Sequence, residues 1–212
     1  MSRFFVGITG ASGHAYSAAL LRALVAAGHD VDVALTESGC KVLRHELGIA
    51  ALPAWLGADA ARHVRVFGEG EIEAPPSSGT ALSGGVVLCP CSMGTLARVA
   101  AGFSSNLIER AADVALKEGR RLVVVPREAP LSVLHLENML RLARLGARVL
   151  PASPGFYHRP QSVDDLVAHV TGKVLDALGV EHALSRRWSG LDAPPPERGL
   201  EGATRPPVGD DS

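Results

Sequence analysis

The chain has 212 residues, 47% of them hydrophobic, and a formal net charge of −1. That length predicts one compact domain, and the balanced charge provides no general basic field for nucleic acid or an anionic membrane surface. The three cysteines, Cys40, Cys89 and Cys91, and a short apolar start at Met1–Ile8 predict reduced thiols in a cytoplasmic protein, with no run of 18 apolar residues to span a bilayer.

Phe4 to Ile8 reads as a buried parallel strand running into glycine-rich sequence. A helix follows, with Leu20, Leu21, Leu24 and Val25 as its apolar face and Gly28 as its stop. Val31 to Leu35 is a second strand and Ser38 to Glu46 a second helix. Residues 52 to 83 read as irregular, with a short strand at Val64–Phe67 and a loop at Ala74–Thr80. Val86–Leu88 is a strand that stops at Cys89-Pro90, and a helix starts near Ser92. Helices are expected over Leu107–Lys117, Leu134–Leu145 and Asp164–Leu178, the last N-capped by Ser162. Strands are expected at Leu122–Val125 and Arg148–Leu150. Alternating strands and helices predict an α/β, three-layer, Rossmann-like (flavodoxin-like) domain over residues 1–190 with a mostly parallel sheet. The tail from Leu191 to Ser212 has five prolines and little to bury, so it should remain flexible.

Five segments carry candidate chemistry. Gly7-Ile-Thr-Gly-Ala-Ser-Gly13 follows the first strand, so its backbone amides and the next helix N-terminus, with about half a positive charge, favour an anionic ligand. Its spacing is not the dinucleotide fingerprint, and neither Tyr16 nor Tyr157 has the Lys four residues on that a short-chain dehydrogenase needs. Cys89-Pro-Cys-Ser-Met-Gly-Thr95 has two cysteines but no second pair for a tetrahedral metal site, so Ser92, Gly94 and Thr95 at the strand-to-helix turn are the better ligand group. In Asn106–Lys117, Arg110 and Lys117 lie two helical turns apart on one face and suit a dianion. Arg127 and Glu128 follow a buried strand between Pro126 and Pro130. Pro154–Gln161 is an aromatic loop ahead of a helix that carries Lys173.

Taken in order, Thr9–Gly13, Cys89–Ser92, Asn106–Lys117, Pro126–Pro130 and Gly155–Gln161 resemble the UbiX-type flavin prenyltransferases, the phenylacrylic acid decarboxylase-like flavoproteins, over residues 3 to 188. The resemblance implies an alkyl-group transferase that moves a dimethylallyl group from dimethylallyl phosphate to N5 and C6 of reduced FMN, without a metal. It also implies a homododecamer with sites at subunit contacts, and a product used as a cofactor by UbiD-type decarboxylases. By resemblance, Gly10, Ala11, Ser12, Thr36, Ser92, Met93, Gly94, Thr95 and Arg127 bind FMN, while Ser78, Arg110, Lys117, Tyr157 and Lys173 bind the prenyl phosphate. Lys117 would help to stabilise the departing phosphate and Glu128 would protonate it, and Ser12 relayed to Glu46 would remove the C6 proton. The chain departs from the family in having Lys173 where Arg is frequent, Ile72 where some relatives have Trp, and Thr36 where Ser is common. An FMN-dependent cysteine decarboxylase and a non-catalytic FMN carrier are the alternatives.

Overall fold

The computed structural model describes residues 1–81 and 83–184. The expected tail therefore lies outside the described residues. Six strands, β1 (Arg3–Ile8), β2 (Asp30–Leu35), β3 (Val64–Gly68), β4 (Gly85–Cys91), β5 (Leu122–Pro126) and β6 (Arg148–Val149), form one sheet in the order β3-β2-β1-β4-β5-β6. Every pairing is parallel, from Arg3 opposite Asp30 at one end of β1 to Ile8 opposite Leu35 at the other. This is the doubly wound order, with its reversal between β1 and β4, where ligands of such sheets bind.

Helix α1 (His14–Ala26) and helix α8 (Val163–Leu178) pack together on one face of the sheet. Leu20, Leu21 and Leu24 of α1 and Val170, Val174 and Leu175 of α8 are fully or almost fully buried with Val6, Val33, Val123 and Val125. Each such side chain contributes about 1.5–3 kcal/mol relative to an exposed one. The other face is covered by α5 (Met93–Ala100), α6 (Leu107–Lys117) and α7 (Val133–Arg144), whose core includes Leu96, Ile108, Ala112 and Leu142. Helix α2 (Glu37–Leu47) follows β2, and the stretch expected to be irregular contains two short helices, α3 (Leu52–Leu56) and α4 (Ala58–Ala61), a 3-10 turn at Pro75–Ser77 and the expected β3. In α7 only Leu142 is buried, leaving Val133, Leu134, Leu136 and Leu140 exposed.

Two expectations about strands change. β4 continues through Pro90 to Cys91 because its register against β5 shifts between Leu88 and Cys91, which lets a residue without an N–H pass through the ladder. β6 is one residue shorter than expected. Ser162 caps α8 as predicted, its hydroxyl accepting from Asp165 N at 3.2 Å while the Asp165 carboxylate accepts from Ser162 N. At the opposite edge from the candidate site, buried Asp32 is satisfied by Arg3 and by a two-point contact with Arg65.

Candidate active site

The turns after β1, β2, β3 and β4 open at one sheet edge around a cavity of about 420 Å³, lined by Gly10, Thr36, Glu37, Ser38, Glu69, Ser92, Thr95 and Arg98. Small-molecule sites occupy about 300–1,000 Å³. Local geometry explains the residue types. Thr36 N-caps α2, its hydroxyl accepting from Gly39 N at 2.9 Å, and Ser92 N-caps α5, accepting from Thr95 N at 3.3 Å. A Cβ on Gly10 would stand 2.7 Å from the Ser38 Cβ, and one on Gly39 would stand 2.6 Å from the Ile8 carbonyl oxygen, so glycine lets the first turn approach α2. Thr9, fully buried, ties the two central loops: its hydroxyl donates to the Pro90 carbonyl at 2.9 Å and accepts from Ser92 N at 2.7 Å.

Ser12 and Glu46 meet beside this cavity. The Glu46 carboxylate accepts from the backbone N–H groups of Gly13 at 3.1 Å and His14 at 2.8 Å. Partial burial works to raise its pKa, but the Ser12 hydroxyl, those two N–H groups and the neighbouring His14 together hold it below the usual carboxylate value. Glu46 is therefore an anion at neutral pH with the Ser12 hydroxyl aimed at it. His14 is fully buried and burial lowers its pKa against the pull of Glu46, so its ring is neutral. Arg127 crosses to the same loop, its Nε donating to the Ser12 carbonyl at 3.2 Å. Glu128 is exposed and its carboxylate accepts from Ala129 N at 3.1 Å.

Tyr157 and Lys173 form a neighbouring group with two histidines. Tyr157 packs edge-on against His158 and His169 at centroid distances of 5.7 and 5.6 Å, and the two imidazoles stack parallel at 4.9 Å. Burial, then the charges of His158 and Lys173, lower the pKa of His169.

Ser78, Arg110 and Lys117 come together elsewhere on the chain. Arg110 donates through Nε to the Ser77 carbonyl at 3.2 Å and pairs with Asp113 at 2.9 Å. Lys117 pairs with Glu118 and stands against Gly79. Helix α6 begins near the cavity, where Leu107 N donates to the Glu69 carbonyl at 2.8 Å, and then runs back along the sheet. Ten residues of helix carry Lys117 about 15 Å from that end. Lys117 therefore lies away from the carboxyl ends of the strands, where the cavity opens. The two cations do share a face, as the spacing predicted, but that face meets the loop at Ser77–Gly79.

Arg98, Ser38, Glu37 and Glu69 line the cavity and were not among the sequence candidates. Arg98 looks like an ordinary surface residue of α5, and only a contact between helices gives it a place. Cys89 and Cys91 are buried in β4, and burial pushes the Cys89 thiol up to about 12 and the Cys91 thiol higher. Among the described residues, no three His, Cys, Asp or Glu side chains are grouped to hold a metal ion, and no helix is long and apolar enough to cross a membrane.

The Flavoprotein family model matches residues 1–175. The flavin prenyltransferase UbiX of Pseudomonas aeruginosa is 49% identical over 196 residues, covering 88% of this chain and 93% of that protein. The crystal structure of AnUbiX (PadA1) in complex with FMN and dimethylallyl pyrophosphate superposes with a TM-score of 0.83 at 35% identity, covering 90% of this chain and 99% of the other. A dodecameric FMN-dependent UbiX-like decarboxylase from Escherichia coli O157:H7 superposes with a TM-score of 0.81 at 42% identity, covering 89% and 100%. With its cleft at the β1/β4 reversal and these relatives along nearly its whole described length, the chain belongs to the Flavoprotein family and, within it, to the UbiX-type flavin prenyltransferases.

Proposed function

We propose that this flavin prenyltransferase joins a dimethylallyl group from dimethylallyl phosphate to reduced FMN, and that a UbiD-type decarboxylase receives the product as its cofactor. The observation that carries the reading is the polar cleft at the β1/β4 reversal with the Ser12–Glu46 pair on its rim. The cavity fits a flavin's polar tail: hydroxyls of Thr36, Ser38, Ser92 and Thr95 line it, and glycines keep its first turn close to α2. Gly10, Ala11, Ser12, Thr36, Ser92, Met93, Gly94, Thr95 and Arg127 are the residues proposed to hold FMN. Reduced FMN supplies the ring atoms to which the prenyl group is joined.

The chain's own groups supply the rest. Departure of an allylic phosphate needs positive charge and a proton at its oxygens. Ser78, Arg110, Lys117, Tyr157 and Lys173 provide the charge and the hydrogen bonds, and Glu128 gives the proton. Closing the second bond needs a proton removed, for which Ser12 is in contact and Glu46, held anionic, is the acceptor behind it. Within one chain, Arg110 and Lys117 face the Ser77–Gly79 loop and Glu128 belongs to the Arg127 turn. They meet at one phosphate when a second copy brings its α6 to this edge, which accords with a homododecamer whose sites lie at subunit contacts. The exposed apolar side chains of α7 are surface that such an assembly would cover. We place the protein in the cytoplasm, where its three unpaired thiols stay reduced.

Anaerobic incubation with FMN, a reductant and dimethylallyl phosphate tests the reading. The extracted flavin is expected to gain the mass of the prenyl group and change its absorbance. An unchanged flavin, or turnover of a peptidyl cysteine without any prenyl phosphate, would move the assignment to the cysteine decarboxylase alternative. FMN function untouched by loss of Lys117 or Glu128 would leave a carrier.

A further inference from the structure

Glu109 is a fully buried carboxylate on α6, a placement that a charged residue adopts only with partners. Its Oε2 accepts from Ser105 N at 2.9 Å, and its Oε1 accepts from Asn106 Nδ2 at 3.2 Å and from Arg98 Nε. Arg98 reaches back along α5 so that its Nη2 donates to the Thr95 hydroxyl at 3.3 Å, and Nη1 is 3.6 Å from where a Cβ on Gly94 would stand. Its side chain is 44% exposed, and it lines the cavity. The anion is sealed away while the cation that it fixes is presented to the cavity, beside the Ser92 and Thr95 hydroxyls.

The cavity's other charged lining residues are carboxylates. Glu37 is directed to Lys41, with Oε1 to Nζ at 2.5 Å, and Glu69 accepts from Glu37 N at 2.8 Å. Both belong to the α2 side. Among the described residues that line the cavity Arg98 is the cation, and it stands at the α5 side, where the carboxylate it contacts, Glu109, is buried behind it. Among the described residues Nη1 has no hydrogen bond, so one arm of the fork is left for a ligand.

We propose that Arg98 receives the terminal phosphate of FMN and thereby makes the site select FMN over riboflavin, with buried Glu109 as the positioning residue that aims it. The assignment rests on the flavin reading above and adds to it the residue that recognises the phosphate. Glu109 keeps its negative charge behind Arg98, so what the guanidinium offers a phosphate is its directed N–H donors rather than a net positive charge.

The test measures dissociation constants of the wild-type protein for FMN and for riboflavin, and compares them with the double variant Arg98→Met/Glu109→Gln, which removes both charges and avoids a lone buried carboxylate. Charge-assisted hydrogen bonds predict that FMN affinity falls about ten- to a hundred-fold while riboflavin affinity changes less than about two-fold. Glu109→Gln alone, which keeps the cation but loosens its aim, is expected to weaken FMN and spare riboflavin to a smaller extent. Equal loss of both ligands, or unchanged FMN affinity in a folded double variant, overturns the assignment of Arg98 and leaves the flavin reading standing. Wild-type protein that binds neither flavin overturns both.

Discussion

At the scale of single residues, the proposed site has groups that the fold brings into contact and groups that it holds apart. Ser12 and Glu46 are already in contact, and Glu46 is held as an anion by donors around it. Ser12→Ala should therefore leave FMN bound but give a flavin that has gained the prenyl mass without the absorbance of the closed, four-ring product; normal closed product in mass spectrometry and absorbance removes Ser12 from the second step. Glu128 is turned onto its own chain at Ala129 and takes no part in lining the cavity. Glu128→Gln is expected to slow prenyl transfer by about 10²–10⁴-fold, the usual worth of a general acid, with FMN affinity nearly unchanged. Equal loss of both in stopped-flow and titration measurements would make it a structural residue. The depressed histidines set a pH dependence. His169 has its pKa lowered from 6.5 by burial and by His158 and Lys173, so the unfolded chain takes up that proton before the folded one does. Stability is then full above about pH 6.5 and falls as pH drops through the window beneath it. His169→Phe, which keeps a ring against Tyr157 and His158, should flatten part of that fall in Tm, and an equally steep fall assigns the loss to His14 or other groups.

At the scale of elements, sequence and structure agree where punctuation is strong. The glycines and serines after β1 and β4 showed where the turns open, and the paired cations on α6 showed its face. Pro90 misled because proline ordinarily ends a central strand, whereas here the register shift beside it absorbs the missing donor. Arg98 and Glu109 escaped notice for a related reason. Charged residues in helices are exposed as a rule, and only the packing of α5 against α6 buries one and aims the other. Gly39 gives an element-scale prediction. A Cβ there would meet the Ile8 carbonyl oxygen at 2.6 Å, a backbone atom that cannot turn aside. Gly39→Ala should push α2 away from β1, destabilise the fold by about 1–3 kcal/mol and weaken FMN binding through Thr36. Unchanged Tm in thermal denaturation would show that α2 shifts freely.

At the scale of the molecule, the proposed site needs Lys117 and Glu128 at one phosphate, which would make activity a property of the assembly. Two variants, Lys117→Ala and Glu128→Gln, should each be strongly slowed alone. If sites form from two copies, refolding them together should restore activity in roughly a quarter of the sites by random assortment. No recovery in a mixed preparation would mean that both residues serve one chain's own site. Glycine turns and charged faces can be read along a chain, whereas which copy a charge serves is set by surfaces that meet only after folding, so the sequence offers candidate parts for a site without their arrangement. The thiols in β4 add a last consequence. An enzyme that handles an allylic alkylating agent must keep its own soft nucleophiles from reacting first, and thiolates are the softest it has. With the Cys89 thiol at about 12 and Cys91 higher still, neither ionises at neutral pH. Burial in the strand beneath the proposed site thus keeps both thiols in their weakly nucleophilic protonated form.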